Sequence, residues 1–528
     1  MKKFNITGTC VPEENYMVDM SDSVTQIKKL IDNKLYLVID KPPKIGKTTM
    51  LAALERSLID SGYTVIAVNF GHLDNDCFKW EAIFCVGFIK QAVSALQFAV
   101  CNKDYIKRWA NYDISDMDSL SKHISKMCRG EKVVLIVDDA GKHSGNHIYL
   151  NFLNMLRSKY IARTNINSET FQSVILASAC DLKSIAISQN EPVLPMRKHN
   201  GLCDVAAEYS GNMFFSIEKI AGMLKEYKED SAENIDIPSI SRQIYDYTSG
   251  HPYLVSKLCK CIDEDLEQDW TIDGLCMAVK QLLCEKNALL TDLTQAVEND
   301  AYLYNLVYDI LITGEYRKYK PHVDFINKSE KIGLIKRSDN DILSDIMPDL
   351  NITTNSMRMT NRIYEMLFCN YFISKMDIYP LPNNLNVNGG RKFNIESCLQ
   401  RFAEYYAEVS EGRNIEYLEH NIRLIFLAYL KEYMSIYGFC YIDSKNTDIC
   451  KMNIIAKVSG EQYIIELSTQ RAGQQSEDEV YRQFVDYLES RDKTKGYLIM
   501  FDFRYGADID ERNKLIDIDG KRIFEVSV

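Results

Sequence analysis

The residues whose types and spacing suggest chemistry most clearly lie between positions 35 and 50, in the segment LYLVIDKPPKIGKTTM. An apolar run of strand length ends in a proline-containing loop, and the loop ends with Gly46, Lys47 and Thr48. A phosphate-binding loop needs glycine where backbone N–H groups curl around phosphate oxygens, lysine to reach the terminal phosphates and a hydroxyl for Mg²⁺. The segment therefore predicts a nucleotide-binding loop.

The residues around this loop support the prediction in one respect and depart from it in another. The next segment, MLAALERSLIDSG, has helical spacing of its apolar residues, so the positive end of a helix would face the bound anion. The full pattern GxxxxGK[ST] begins with a glycine, and Lys41 stands at that position here. A lysine-capped helix start is the structural alternative.

Two buried strands are predicted after the loop: YTVIAVNF at 63–70, and KVVLIVDDAGKH at 132–143, which ends in two carboxylates. A hydrolytic P-loop enzyme needs one carboxylate in the Mg²⁺ shell and a neighbour that positions the attacking water. Asp138 and Asp139 fit these two roles. The alternative is that they only cap the helix that follows.

A third apolar run, FQSVILASACD at 171–181, ends near the small polar residue Ser178. In P-loop folds with an extra strand between the phosphate loop and the acidic strand, this position holds a polar sensor of the γ-phosphate. Strands that alternate with helices predict a parallel sheet whose ligand lies at the carboxyl ends of the strands. The three candidate sites all lie at such ends.

Length, charge and cysteine spacing limit the class of protein. A chain of 528 residues predicts about three domains. The net charge of −12 argues against a sequence-independent nucleic-acid coat, which needs a concentrated basic face. The 15 cysteines form no CxxC pair, which favours reduced thiols in a cytoplasmic protein. The first residues resemble no signal peptide, and no segment has the length and apolarity of a membrane span, so we expect no membrane association.

The rest of the chain divides into a helical part and a small α/β part. Helical spacing continues from about residue 216, with a possible β-wing at 332–360 typical of a winged helix. A linker rich in Pro, Asn and Gly follows at 377–392. Beyond it we predict two helices, three strands, a helix at 477–490 and a final strand, GYLIMFDF. The predicted domains are 1–235 (P-loop core), 236–380 (helical lid and winged helix), 381–392 (linker) and 393–528 (small α/β domain).

Several segments together resemble one family. They are GTCVPEENYMVDM, the loop ending in GKTT, VVLIVDD, FQSVILAS, YDYTSGHPYLVSKLC and GEQYIIEL with QFVDYLESRDKTKGYLIMFDF. The chain resembles the bacterial AAA-ATPase-like proteins, of AAA/STAND type, that carry a C-terminal PD-(D/E)XK nuclease-like domain. The resemblance implies a multidomain α/β fold. Its parts would be an ASCE/AAA P-loop sheet, a helical lid with a winged-helix-like bundle and a small restriction-endonuclease-like domain.

The resemblance also implies roles for residues of the nucleotide site. The segment around Tyr16 would border the adenine of ATP, and Gly250 and Pro252 would form the lid turn. Asp138 would lie in the Mg²⁺ shell. The phosphates would be bound by Lys44, Ile45, Gly46, Lys47, Thr48 and Thr49. Asp139 stands where the family usually has glutamate and is one methylene shorter, which favours slow turnover and therefore a switch.

The nuclease motif that the resemblance implies is degenerate. Cleavage of this type needs an aspartate on one strand and Glu-x-Lys on the next, because two carboxylates hold Mg²⁺ and the lysine stabilises developing charge. Glu466 is retained, but Ser468 replaces the lysine and Asn453 replaces the aspartate. Gln483 on the following helix has a counterpart in the family. We therefore expect an inactive nuclease fold that is kept for binding or structure.

Three functions remain open at this stage. The first is a slow Mg-ATP switch in which Asp139 is the base and Ser178 the sensor. The second is an ATP-binding interaction protein without turnover, and the third is an ATP-regulated DNA nuclease. DNA or a protein could bind through the winged-helix-like and C-terminal domains, and oligomerisation is open. Neither Arg163 nor Arg197 can be assigned as an arginine finger.

Overall fold

The structure is a computed structural model that describes most of the chain in two compact units. Unit 1 comprises Met1–Ser241, Gly250–Lys260 and Lys331–Gly333, and unit 2 comprises Arg242–Ser249, Cys261–Glu330 and Leu334–Val528. The described residues are 2–99, 103–110, 113–142, 146–163, 169–179, 201–231, 233–313, 319–320, 323–337, 357–376, 393–434, 438–443, 453–458, 461–470, 476–503 and 513–528.

Unit 1 is built on a five-stranded sheet whose paired strands are parallel. The strands are β1 Leu37–Asp40, β2 Thr64–Asn69, β3 Val133–Asp138, β4 Ser173–Ser178 and β5 Ala207–Glu208. Their order is β2-β3-β4-β1-β5, so β4 lies between the strand before the phosphate loop and the strand that ends in the two acids. The predicted parallel α/β sheet and its inserted strand are confirmed.

Both faces of this sheet are covered, because its central strands are buried at every position. The helices that belong wholly or partly to unit 1 are α1 Ser21–Asp32, α2 Lys47–Asp60, α3 Glu81–Ala99, α4 Lys103–Trp109, α5 Met117–Cys128, α6 His147–Ala162, α7 Ile217–Ser231, α8 Ile237–Thr248 and α9 Pro252–Glu264. Leu135 packs in the cluster with Phe88 and Phe152, whereas Ile136 packs in the cluster with Leu54. Continuous burial of this kind is typical of parallel sheets between two helical layers.

Unit 2 combines helices with a second sheet. Its helices are α10 Ile272–Cys284, α11 Ala288–Glu298, α12 Ala301–Tyr308, a π-helical turn Asp309–Thr313, α13 Asp324–Lys331, α14 Arg362–Lys375, α15 Ile395–Ser410, α16 Ile415–Met434 and α17 Glu477–Ser490. Its strands are β6 Ile335–Arg337, β7 Met357–Met359, β8 Gly438–Asp443, β9 Asn453–Val458, β10 Glu461–Gln470, β11 Lys495–Asp502, β12 Asn513–Ile518 and β13 Lys521–Ser527.

The second sheet has the order β12-β13-β11-β10-β9-β8 and mixes parallel with antiparallel pairs. The prediction that GYLIMFDF is the final strand is wrong, since β12 and β13 follow it. They form an antiparallel hairpin around Asp519 and Gly520, which have φ angles of 49° and 75°. An Asp-Gly pair in this conformation is a common hairpin turn.

The structure describes part of the predicted wing but not the predicted linker. β6 and β7 form an antiparallel pair within the range of the predicted wing. The linker at 377–392 lies outside the described residues. The domain boundaries and the winged-helix and nuclease-like assignments stay predictions.

A close backbone contact at Gly250 constrains the turn before α9, and Gly62 offers a comparison without such a contact. Gly250 has a φ of 77°, and a Cβ there would overlap the backbone carbonyl of Phe215. Gly62 has a φ of 80°, but a Cβ added there would have no atom within 4 Å. We expect Gly250→Ala to lower the free energy of unfolding by about 3 kcal/mol or more, because strain and overlap both act.

The matched variant Gly62→Ala has the same backbone strain without the overlap, so it should cost about 1 kcal/mol. Thermal and denaturant unfolding of both variants measure the difference. Equal losses in the two proteins would contradict the importance of the contact with Phe215.

Candidate functional site

The phosphate loop adopts a strongly curved backbone between β1 and α2. Lys44 and Gly46 have φ angles of 61° and 81°, and α2 begins at Lys47. A lysine with positive φ costs roughly 1–2 kcal/mol, so the conformation must be held by its surroundings. Left-handed residues of this kind are typical of loops whose backbone N–H groups bind anions. The Lys47 ammonium donates to the carbonyls of Lys41 at 2.8 Å and Pro42 at 2.6 Å.

One hydrogen bond joins the loop to the acidic strand. The Thr48 hydroxyl donates to Oδ2 of Asp138 at 2.8 Å, and the Asp139 N–H donates to Oδ1 of Asp138 at 2.9 Å. A hydroxyl and a carboxylate oxygen that touch at the edge of a cavity are hard ligands suited to Mg²⁺. Among the described residues no group of three His, Cys, Asp or Glu side chains is placed to hold a metal ion. The fit is therefore to a Mg²⁺ ion that takes its other ligands from phosphate and water.

The second acid lies against the end of β2. Asp139 has a φ of 53°. A Cβ added to Gly71 would lie 2.7 Å from Oδ2 of Asp139 and 2.7 Å from Oδ1 of Asn69. The Gly71 N–H donates to Asn69 Oδ1 at 2.6 Å, and the Lys142 ammonium donates to the Gly71 carbonyl at 2.8 Å. Gly71 is thus the residue that leaves room for the Asp139 carboxylate.

These groups border one cavity of about 380 Å³ in unit 1. Its lining includes the predicted residues Tyr16, Lys44, Gly46, Lys47, Thr48, Thr49, Asp138, Asp139 and Pro252. The lining also includes Met17 and Val18 of the segment around Tyr16, and residues that the sequence did not single out: Asn5, Ile6, Gly8, Cys10, Met20, Pro43, Ala179, Phe215, Met223, Tyr253 and Ser256. Many of these belong to the segment before α1 and to α9. Several lie in the segments 8–20 and 245–259 that carry the family resemblance, but only the fold brings them to the loop.

The segment before α1 is fixed to the site by aromatic and polar contacts. The Tyr16 side chain is 2% exposed, and its ring packs at 5.0 Å from Phe4 and 5.2 Å from Tyr227. The backbone N–H of Cys10 donates to the Thr49 hydroxyl at 3.2 Å. Burial raises the pKa of the Cys10 thiol, so this group stays neutral beside the cavity.

Three predicted residues lie next to the cavity rather than on its lining. Ser178 is buried at the end of β4, and its carbonyl accepts a 3.2 Å hydrogen bond from the Lys41 N–H. Ile45 is buried, and Gly250 makes the turn before α9. The Gly250 carbonyl accepts a 2.8 Å hydrogen bond from the Phe215 N–H.

Arg163 lies at the opposite end of the strands from Asp138 and Asp139. Its guanidinium donates to the carbonyl of Lys34, which precedes β1, and lies 3.8 Å from the ring centroid of Tyr160. These contacts place it at the amino ends of the strands, whereas the phosphate loop is at the carboxyl ends. Arg197 lies outside the described residues.

The predicted residues of the degenerate nuclease motif lie in unit 2. Glu466 and Ser468 are both buried on β10 and point to the same face of the sheet as Ile464, which packs against α17. Gln483 lies on α17, and its Oε1 is buried without a hydrogen-bond partner among the described residues. Asn453 begins β9, and the described part of the structure does not include its side chain.

Comparisons with known proteins identify one family. Residues 14–347, more than half of the chain, match the model of the family described as AAA-like domain. No curated protein matches the chain. Among the described residues no helix has the length and apolarity needed to cross a membrane.

Solved structures give weaker similarities. The Walker-type ATPase paby2304 of Pyrococcus abyssi is 10% identical with a TM-score of 0.43, and the match covers 68% of this chain and 98% of that one. The ORC2 protein of Aeropyrum pernix in its ADPNP-ADP complexes is 14% identical with a TM-score of 0.37, covering 62% and 90%. The RuvB Holliday junction branch migration motor of Thermotoga maritima is 12% identical with a TM-score of 0.31, covering 63% and 95%. At these scores the similarities carry no inference.

A buried histidine in the turn before α9 predicts a pH dependence of stability. His251 is 2% exposed, its ring lies 5.7 Å from that of Phe214, and burial lowers its pKa from 6.5 to about 4. The unfolded chain then binds a proton that the folded chain rejects, so stability is lost as pH falls from about 6.5 to 4. The loss should reach about 3 kcal/mol. Unfolding of wild type and His251→Gln between pH 7.5 and 4.5 measures it, and parallel pH curves would contradict the assignment.

Proposed function

Since the chain belongs to the AAA-like domain family, we propose that it binds Mg-ATP in the cavity of unit 1 and acts as a slow nucleotide switch. The observation that carries the proposal is the Thr48–Asp138 hydrogen bond at 2.8 Å. It brings a loop hydroxyl and a strand-end carboxylate together beside the curved phosphate loop. Few structural roles need this combination of a strained loop, a helix N-terminus and paired oxygens around a cavity.

Binding would use the loop, the start of α2 and the acidic strand together. The backbone N–H groups around Gly46 and the ammonium of Lys47 would bind the phosphates. Thr48 and Asp138 would hold Mg²⁺, which when bound supplies positive charge against the phosphate oxygens. Tyr16 and the segment that contains it would border the base, because they line the part of the cavity formed by residues before α1.

Hydrolysis would depend on the second acid. Water would attack the γ-phosphorus, Asp139 would accept the proton from that water, and the bond to the bridging oxygen of ADP would break. Ser178 would sense the γ-phosphate from the end of β4. The Asp139 side chain is one methylene shorter than glutamate and its backbone φ of 53° fixes its direction. This limited reach supports slow turnover, which suits a switch.

The limited reach of Asp139 also favours an alternative function, that of an ATP-binding protein without turnover. If Asp139 cannot reach the attacking water, nucleotide would only stabilise the site. Single-turnover experiments distinguish the two functions, because phosphate release at a rate above that of free ATP requires a working base.

The output of the switch would lie in unit 2. The chain crosses between the units within α8 and α9, on both sides of the Gly250–Pro252 turn. We propose that the C-terminal part is a nuclease-like domain that no longer cleaves DNA. The support is that Ser468 provides no ammonium beside the buried Glu466, although both face α17. A DNA or protein partner would then bind to this domain rather than be cut by it.

Replacement of the loop lysine tests nucleotide binding. We expect Lys47→Ala to weaken Mg-ATP binding by at least about a hundredfold, because a charge-assisted contact to the phosphates is lost. The variant should keep the circular dichroism spectrum of the wild type, since the two carbonyls that accept from the Lys47 ammonium belong to the loop and not to a helix or strand.

The control is Lys79→Ala, which removes an exposed lysine at the end of a short helical turn. Isothermal titration calorimetry with Mg-ATP compares the three proteins. Unchanged affinity in Lys47→Ala would refute nucleotide binding at this loop.

A second pair of variants separates hydrolysis from binding. Asp139→Asn should abolish phosphate release while Mg-ATP affinity changes less than about threefold. Gly71→Ala should lower the release rate by about tenfold or more, because its new methyl group displaces the Asp139 carboxylate that lies 2.7 Å away. Gly222→Ala, on the exposed side of α7 with no atom within 4 Å, is the matched control. Full activity in Gly71→Ala would contradict the role of Asp139 as the base.

A further inference from the structure

The phosphate loop and the helix after the lid turn are joined by one contact that the motif does not explain. The ammonium of Lys44 lies over the ring of Tyr253, 5.4 Å from its centroid. Tyr253 is the second residue of α9, and both residues line the cavity of unit 1. A cation at this distance from an aromatic face is attracted by the ring quadrupole. The contact therefore links the loop to α9 directly.

The surroundings of this contact are electropositive. α2 begins at Lys47 and α9 begins at Pro252, and both residues line the same cavity. A Cβ at Gly46 would lie 4.0 Å from Cβ of Pro252, so the two helix starts are close neighbours. The N-terminus of each helix carries a partial positive charge. The Lys44 ammonium lies where these two ends meet.

Lys44 has a strained backbone conformation in the loop. Its φ of 61° disfavours a residue with a side chain, and glycine or asparagine would adopt it more easily. Lys44 and Lys47 both line the cavity, so two lysine side chains border it. The two ammonium groups have different contacts, since Lys47 donates to loop carbonyls whereas Lys44 packs on a ring of α9.

ATP and ADP differ by one phosphoryl group and about one negative charge, and this charge would lie at the electropositive end of the cavity. We infer that Lys44 is a specificity-determining residue whose ammonium is shared between the terminal phosphoryl group of ATP and the ring of Tyr253. The site then binds ATP in preference to ADP, and the order of α9 depends on the terminal phosphate. This inference rests on the proposed binding of nucleotide to the same cavity.

Four variants test the inference. Two distinguish the charge of Lys44 from its backbone conformation, and two distinguish the ring of Tyr253 from its hydroxyl. Lys44→Asn removes the ammonium but suits the positive φ, and Lys44→Arg restores a cation that also stacks on aromatic rings. Tyr253→Leu removes the ring, and Tyr253→Phe keeps it. Calorimetric dissociation constants for Mg-ATP and Mg-ADP give the ratio of affinities for each protein.

We expect Lys44→Asn to reduce the preference for ATP over ADP about tenfold through weaker ATP binding, with ADP affinity changed less than about threefold. Lys44→Arg should retain the preference. Hydrogen exchange of residues 252–264 should be slower with ATP than with ADP in the wild type and in Tyr253→Phe. This difference should disappear in Tyr253→Leu and in Lys44→Asn.

The outcomes distinguish this inference from the proposed function. If the wild type binds neither nucleotide, the proposed function fails and the inference fails with it. If the wild type binds both and Lys44→Asn keeps the wild-type ratio, the inference alone is wrong. An exchange pattern of α9 that is the same in Tyr253→Leu as in the wild type would also overturn it.

Discussion

The hydrogen bond between Thr48 and Asp138 depends on the strand that separates their elements. β1 and β3 are two strand spacings apart, because β4 lies between them. The end of β4 holds both loops: the Lys41 N–H donates to the Ser178 carbonyl and the Ala140 N–H donates to the Ala177 carbonyl. The start of the phosphate loop and the residues after the acids are thereby brought to one strand end. A small, buried residue at 178 leaves space for the two loops to meet.

Unusual backbone conformations occur around the same cavity. Lys44 and Gly46 in the loop, Asp139 after β3, and Gly250 before α9 all have positive φ. Two of the four are not glycine, so the surrounding structure must stabilise conformations that cost each of them free energy. Strain of this kind is found where backbone groups or side chains must be aimed at a ligand. Among the described residues of unit 1, Lys34 is the other non-glycine residue with positive φ and does not line the cavity, whereas Lys44 and Asp139 do.

The sequence predicted the sheet well because its strands are continuous apolar runs that end in polar residues. β1 to β4 and the helix at 477–490 lie where expected, and so do the residues of the loop and the acidic strand. The contacts of Gly71 with Asp139 and of Lys44 with Tyr253 could not be predicted, since each joins residues from distant parts of the chain. The hairpin of β12 and β13 is a different case. Its Asp519-Gly520 turn was readable in the sequence, but half-exposed strands such as β12 give only a weak apolar pattern.

The contacts of Lys47 explain how occupancy and loop conformation would be coupled. Its ammonium is bound to the carbonyls of Lys41 and Pro42, and phosphate oxygens would compete for the same donors. The ammonium is charged in both cases, but a phosphate oxygen also carries negative charge, so it would attract the ammonium more strongly than a neutral carbonyl does. The loop would then lose two internal contacts on the side that adjoins Ser178 through Lys41. If the proposed function is correct, nucleotide binding would therefore change the contacts of the loop that the Lys41 N–H joins to the end of β4.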